Sequence, residues 1–116
     1  MKAPAQVFAV LAFAVSTAVA AAGNAESGKT KASQGVGGQP PCATCHGADG
    51  AKPIAPDQPI LAGQFADYLY KALSDYKTGK RSNPVMKGIA GALSKKDMED
   101  LAAWFSSQTS NLHFQR

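Results

Sequence analysis

The chain has few residues that could bind a metal: its 116 residues include only two cysteines and two histidines. A tetrahedral structural zinc site usually draws its four ligands from two close pairs. Here Cys42 and Cys45 form one pair with His46 directly behind it, while the other histidine, His113, lies near the chain end. Because a second pair is missing, the sequence argues against a zinc site.

Several other patterns are absent as well. A thioredoxin-type thiol couple sits in a βαβ setting, and no convincing alternating strands are found. The formal net charge is +4, but the lysines are spread from Lys29 to Lys96 without a dense basic block, which argues against nucleic-acid binding. A solvated surface explains most of these lysines, and a basic rim that orients acidic redox partners is the alternative. No internal repeat is visible.

The first residues have the features of an export signal. Met1–Lys2 is positively charged, Val7–Val15 is apolar, and Ala18–Ala20 is a small-x-small cleavage site, with Ala20–Ala22 as an alternative. This pattern predicts a secretory signal peptide over residues 1–20 that is cleaved. A retained membrane anchor is the other interpretation, but the run is short and alanine-rich and no basic stop-transfer flank follows. We therefore expect no stable membrane insertion.

The most informative feature that is present is the motif C-x-x-C-H at Cys42–His46. Each thiol can add to one vinyl group of a porphyrin, and the two-residue spacer places the sulfurs one helical turn apart. His46 then lies against the ring and can bind the iron. A lone C-x-x-C pair could also form a disulfide, but the histidine in register favours one covalently attached haem c.

Apolar periodicity predicts an all-α chain with about three main helices. The first covers Gly23–Ser33 behind the cap Asn24. The second, Phe65–Lys77, has apolar residues at i, i+3, i+4, i+7 and i+8 and ends before Gly79. The third follows Ser94, where Ser-Lys-Lys-Asp resembles a capping box.

Glycine and proline mark the connections between these helices. The motif Cys42–His46 is predicted as a short helical turn, and three segments are predicted as loops: Gln34–Pro41, Gly47–Gly63 and Arg81–Leu93. The organisation that follows is a first helix and loop over residues 21–41, a haem-binding core over 42–108 and a loose tail over 109–116.

The iron ligand opposite His46 decides the function. A thioether raises the reduction potential and disfavours binding of O₂ or peroxide, which suits an electron carrier, whereas an open site suits gas binding or peroxidase chemistry. Met86 lies between Pro84 and Gly88, so its side chain can reach inward, while Met98 lies on the apolar stripe of the last helix as a core residue. We predict Met86 as the ligand.

Four segments together resemble the small bacterial class I cytochromes c, and more narrowly one domain of the periplasmic di-haem cytochromes c and their mono-haem relatives. They are CATCHGADG (Cys42–Gly50), PILAGQ (Pro59–Gln64), YLYKALSDYKTGKR (Tyr68–Arg81) and NPVMKGIAGALSKKDMEDLAAWFSSQ (Asn83–Gln108). The resemblance implies a small class I cytochrome c fold wrapped around one haem, in the periplasm, where c-type haems are attached.

The resemblance also implies residue roles. Cys42 and Cys45 would form the thioethers, His46 and Met86 would ligate the iron, and the Pro59 carbonyl would accept a hydrogen bond from His46. Arg81 would lie near a haem propionate or face solvent, and Gly28 would let the first helix cross closely against Trp104 or Phe105. Further residues would line or support the haem pocket: Leu61, Tyr68, Leu69, Leu93 and Trp104.

The implied function is that of a soluble, monomeric, single-electron carrier without enzyme activity. Its partners would be a quinol-oxidising cytochrome complex and a terminal oxidase or reductase. A haem enzyme or a gas or redox sensor with a displaceable Met86 is one alternative, although no distal histidine–arginine pair for peroxide cleavage is visible. A membrane-anchored subunit of a larger redox complex is the other. The loop at 34–41 looks longer than in the family, and His113 is given no role.

Overall fold

The computed structural model describes residues 1–12, 14, 23–110 and 112. Within these residues it contains five helices and no strand, which confirms the all-α class. The predicted cleavage site at Ala18–Ala20, His113 and most of the tail lie outside the described residues. The helices are α1 (Ala25–Gln34), α2 (Cys42–His46), α3 (Ala66–Thr78), α4 (Pro84–Gly91) and α5 (Lys95–Ser106).

Side-chain caps fix the starts of α1 and α5, as the sequence predicts. The Asn24 carboxamide oxygen accepts a hydrogen bond from the Ser27 backbone N–H at 2.8 Å. At α5, the Ser94 N–H donates to Asp97 Oδ2 at 2.8 Å, and the Asp97 N–H donates to Ser94 Oγ at 3.1 Å. This reciprocal pair satisfies two amide groups that a helix start otherwise leaves without a partner.

Helices α1 and α5 cross so closely that only glycine fits at the crossing. A Cβ atom on Gly28 would lie 2.0 Å from the Asp100 carbonyl oxygen and 2.8 Å from Trp104 Cβ. The predicted close approach of Gly28 to Trp104 is therefore confirmed. With α3, these two helices enclose a core of seven buried residues: Ala32, Leu69, Leu93, Met98, Leu101, Ala102 and Phe105.

A buried carboxylate lies at the same crossing. Asp100 Oδ1 accepts the Asn24 backbone N–H at 2.7 Å, and Asp100 Oδ2 accepts Lys31 Nζ at 2.7 Å. Lys96, one turn earlier on α5, forms a further ion pair with this side chain. Because a buried charge needs partners, these contacts explain how α5 can place an aspartate against α1.

The prediction of a loop over Arg81–Leu93 is wrong for its middle, because Pro84–Gly91 forms the helix α4. Pro84 occupies the first helical position, where the missing N–H has no intrahelical partner to lose and the fixed φ suits a helix. The two glycines, Gly88 and Gly91, lower helix propensity and obscure the pattern in the sequence. Among the described helices, α4 contacts only α3.

The long connection between α2 and α3 is irregular, as predicted. Residues 47–63 contain turns and bends but no helix or strand. At the N-terminus, residues 1–12 have no regular structure, and apolar side chains such as Val7 and Phe8 are exposed. None of the described helices has the length and apolar character needed to cross a membrane.

Candidate haem site

A cleft opens between α2, α3, α4, α5 and the loop at 47–63. Its volume is about 450 Å³, within the range of roughly 300–1,000 Å³ that is typical of ligand and cofactor pockets. Nine of the eleven residues predicted for the site line this cleft: Cys42, Cys45, His46, Pro59, Leu61, Tyr68, Leu69, Arg81 and Met86.

The other two predicted residues do not line the cleft. Leu93 is 2% exposed and belongs to the hydrophobic core. Trp104 packs against that core, and Lys29 lies 5.6 Å from the centre of its ring. The notion that they line the pocket is not met, because neither residue is among those that line the cleft. A supporting role is compatible with their positions in and against the core.

The short helix α2 presents both cysteines and His46 to the cleft. Cys42 and Cys45 are half-buried, and neither is in a disulfide. Burial raises the pKa of the Cys42 thiol to about 11, so at neutral pH this group is a protonated thiol. A raised pKa disfavours thiol–disulfide exchange chemistry, which depends on the thiolate.

The imidazole of His46 is held in one orientation. Its side chain is almost fully buried, with the residue 5% exposed, and its Nδ1 lies 2.8 Å from the Pro59 carbonyl oxygen. Because a carbonyl oxygen only accepts hydrogen bonds, Nδ1 carries the proton and the Nε2 lone pair is free to bind a metal. The contact expected between Pro59 and His46 is present, and metal ligation by His46 stays a prediction.

The two methionines that compete for the ligand role lie in different places. Met86, in the first turn of α4, lines the cleft. Met98 is 5% exposed and lies within the core, and it is not among the residues that line the cleft. Helices α2 and α4 do not contact each other, so His46 and Met86 project from separate walls of one cleft.

These donors fit a c-type haem. Two thiols can form thioether bonds, an oriented imidazole can bind iron on one side, and a soft thioether can bind it on the other. Further apolar side chains that the sequence analysis did not assign to the site also line the cleft, among them Ala72, Leu73, Tyr76, Val85, Ile89, Leu101, Ala102 and Phe105. The first three continue the stripe of Tyr68 and Leu69 along α3, so helical spacing could have identified them.

Arg81 lies at the mouth of the cleft between two tyrosines. Its guanidinium Nη1 lies 3.4 Å from Tyr68 Oη and its Cζ lies 4.8 Å from the centre of the Tyr76 ring. These contacts hold an exposed cation beside the opening, where an anionic group of a bound haem would meet it.

The fold and the cleft define a small helical protein built to wrap one covalently attached porphyrin. The family model described as cytochrome c matches residues 25–109. The chain therefore belongs to the cytochrome c family, and it carries one c-type haem attached through Cys42 and Cys45.

Three similar proteins show how the match extends. The thiosulfate dehydrogenase electron acceptor of Stutzerimonas stutzeri is 52% identical over 62 residues, which are 53% of this chain and 29% of that protein. Cytochrome c-554(548) of Halomonas halodenitrificans is 41% identical over 70 residues, 58% of this chain and 83% of that protein. The structure of reduced cytochrome c4 from Pseudomonas stutzeri matches with a TM-score of 0.69 and 31% identity, covering 77% of this chain and 53% of that one.

The chain thus spans about a third to a half of the longer relatives, at 29% and 53%, and most of the shorter one, at 83%. This agrees with the predicted likeness to one domain of the di-haem cytochromes and to their mono-haem relatives.

Proposed function

We propose that this chain is an exported carrier of single electrons, whose haem iron is ligated by His46 and Met86 and alternates between Fe(II) and Fe(III). The observation that carries the proposal is the placement of these two side chains on separate walls of the cleft that both thiols also line. The haem supplies the redox chemistry, and the chain holds it, orients its ligands and excludes water.

The ligand pair suits electron transfer without bond making to a substrate. The hydrogen bond from His46 Nδ1 to the Pro59 carbonyl oxygen, at 2.8 Å, fixes one ligand. The thioether of Met86 disfavours exchange with O₂ or peroxide. Because the fold supplies both ligands, the same pair serves in both oxidation states. The same family membership supports a carrier rather than an enzyme.

The mouth of the cleft is the surface on which a redox partner would dock. Two apolar residues lining the cleft are exposed there, Tyr68 at 47% and Val85 at 64%. Close by in sequence, residues 76–94 contain four lysines and arginines and no aspartate or glutamate. Lys80, Arg81 and Lys87 are exposed in this stretch, and none forms an ion pair with a described residue. A partner with an acidic patch would be attracted and oriented there.

The donor and acceptor are redox proteins in this proposal, with a quinol-oxidising cytochrome complex on one side and a terminal oxidase or reductase on the other. The relative named as a thiosulfate dehydrogenase electron acceptor supports a further donor, an enzyme that oxidises an inorganic sulfur compound. In each case docking must be weak and short-lived, because a carrier has to leave one partner before it reaches the next.

Export to the periplasm and removal of residues 1–20 complete the proposal. Support comes from the apolar side chains of the described N-terminal residues, which are exposed and pack against nothing in the core. The intact mass of the native protein tests this point. A chain that begins at Ala21 or Gly23 and carries one haem is expected, whereas a chain that retains Met1–Ala20 contradicts it.

Ferric and ferrous absorption spectra test the ligation. We expect the weak long-wavelength ferric band of iron–methionine coordination and no ready CO binding to the ferrous form. The variant Met86→Ala should lose the band, bind CO and have a lower reduction potential while keeping its haem. The control Met98→Ala should keep the band and lose about 2–4 kcal/mol of stability, because it leaves a cavity in the core. Exchanged phenotypes would assign the ligand to Met98.

A further inference from the structure

Asn83 touches the backbone of the residue proposed as the iron ligand. It directly precedes α4 and lines the cleft. Its Oδ1 accepts hydrogen bonds from the backbone N–H groups of Val85 at 3.1 Å and Met86 at 3.0 Å. One side-chain oxygen therefore satisfies two amides of the turn that presents Met86 to the cleft.

The turn needs this support because little else stabilises it. Helix α4 has eight residues, two of them glycines, and a helix this short is not stable in water by itself. Among the described helices it packs only against α3. Val85, beside Met86, is largely exposed and gives the first turn little apolar burial.

The far end of α4 is held by different contacts. Ile89 and Ala90 are buried, and Lys77 Nζ donates to the Leu93 carbonyl oxygen just beyond the helix. These contacts anchor the C-terminal half of α4 to α3 and do not reach the amides that Asn83 caps. Loss of the cap would therefore loosen the first turn, with Met86 in it, while the rest of the helix stays in place.

We propose that Asn83 is a positioning residue that determines what fraction of the protein has the Met86 thioether on the iron. The inference rests on the proposed ligation by Met86. Two arrangements of the first turn are in equilibrium: a capped one that presents Met86 to the cleft and an uncapped one that withdraws it. Replacing an N-cap residue by alanine shifts such an equilibrium by about 2- to 30-fold.

Imidazole binding to the ferric protein measures this equilibrium, because imidazole competes with Met86 for the iron. Its apparent affinity is proportional to the fraction of protein in which the position is open. We expect Asn83→Ala to bind imidazole about 2- to 30-fold more tightly than wild type. Its iron–methionine band should weaken, and its reduction potential should fall. Asn83→Ser, which keeps an uncharged oxygen at the cap, should restore wild-type values.

A matched control separates positioning from general loss of stability. Ser94 caps α5 in the same way, and its oxygen accepts the Asp97 N–H at 3.1 Å, in a helix that does not contact α4. Ser94→Ala should lower the unfolding midpoint as Asn83→Ala does, but leave imidazole affinity and the ferric band unchanged. An equal change in imidazole affinity for both variants would overturn the proposal.

The remaining outcomes distinguish this inference from the proposed function. If Met86→Ala binds imidazole tightly while Asn83→Ala equals wild type, Met86 is a ligand and Asn83 does not position it. If Met86→Ala also equals wild type, the ligation is wrong and the inference falls with it.

A second variant covers the case in which Asn83→Ala does not mature with haem. Asn83→Thr then replaces it, because threonine is a weaker cap than asparagine. Its imidazole affinity should exceed that of wild type, and a wild-type value would overturn the proposal.

Discussion

The Nδ1 atom of His46 and the carbonyl oxygen of Pro59 lie 2.8 Å apart, which joins the haem-attachment helix to the long irregular loop that follows it. The contact selects the tautomer of the ring, because the proton must be on Nδ1 when a carbonyl is the partner. The same bond makes Nε2 a better electron donor. The loop over residues 47–63 therefore takes part in setting the properties of the iron.

A looser loop should raise the reduction potential. Pro59→Gly keeps the carbonyl but removes the constraint on φ, so the hydrogen bond to His46 lengthens and the imidazole donates less charge to the ferric iron. We expect the reduction potential to rise on the order of 10–40 mV. For a one-electron couple, this corresponds to losing part of the free energy of one hydrogen bond. Protein-film voltammetry measures it. Pro53→Gly is the control, because Pro53 lies in the same loop but does not line the cleft. An unchanged or lower potential in Pro59→Gly would contradict this role.

The crossing of α1 and α5 should not tolerate a methyl group at Gly28. A Cβ there would lie 2.0 Å from the Asp100 carbonyl oxygen, so the helices must separate. We expect Gly28→Ala to lower the free energy of unfolding by about 1–3 kcal/mol in urea titrations. Gly91→Ala is the control, because its Cβ would meet nothing within 4 Å, and alanine there should be neutral or stabilising by up to about 1 kcal/mol. Equal effects at the two sites would contradict the proposed constraint.

The buried carboxylate of Asp100 should make stability fall in acid. Burial alone raises the pKa of this group, but hydrogen bonds from Lys31, Lys96 and the Asn24 N–H outweigh burial and lower the pKa below its ordinary value. Because the folded-state pKa is depressed, the stabilisation is present above the unfolded value of about 3.9 and is lost as pH falls toward the folded value.

Asp100→Asn tests this linkage. The variant should be less stable at pH 7 by about 1–3 kcal/mol, because Lys31 and Lys96 lose a charged acceptor, and its stability should change less between pH 5 and 3 than that of wild type. Glu99→Gln is the control. Glu99 lies next to Asp100 on the same helix but forms a surface ion pair with Lys95, so this variant should change stability by less than about 1 kcal/mol. Parallel pH profiles for wild type and Asp100→Asn would rule out the linkage.

The cationic side of the cleft mouth should control reactions with anions. The ferrous protein should reduce ferricyanide quickly at low ionic strength and more slowly as salt screens the attraction. Lys80→Glu with Lys87→Glu should slow this reaction by about tenfold at low salt. The control pair Lys29→Glu with Lys95→Glu changes the net charge equally on α1 and α5. Stopped-flow rates that fall equally in both double variants would show that total charge, and not this surface, governs the encounter.

The sequence predicts the parts of the fold that local chemistry determines. Helix α3 follows from its apolar periodicity, and the starts of α1 and α5 follow from Asn24 and Ser94, whose side chains act as expected. The haem-attachment turn follows from the cysteine spacing. The close approach at Gly28 was inferred from the family resemblance, because helix propensity by itself indicates only that a glycine here destabilises the helix.

Tertiary packing explains what the sequence did not predict. Helix α4 has the glycines and proline of a loop, but burial of Ile89 against the rest of the domain favours a helix. The Asn83 cap is a local signal for this helix that the sequence analysis did not use. Leu93 and Trp104 were expected at the pocket because the family resemblance implied that they line or support it. Which apolar side chain reaches the cleft and which lies behind it depends on how the helices cross.

The most direct test of the central claim is proton NMR of the reduced holoprotein with isotope-labelled methionine methyl groups. A methyl group on a methionine bound to haem iron lies over the porphyrin ring, and its signal moves far upfield of all other methyl signals. We predict one such methionine signal that disappears in Met86→Leu and persists in Met98→Leu. A wild-type spectrum without an upfield methionine methyl signal, or one whose signal disappears with Met98, would contradict ligation by Met86.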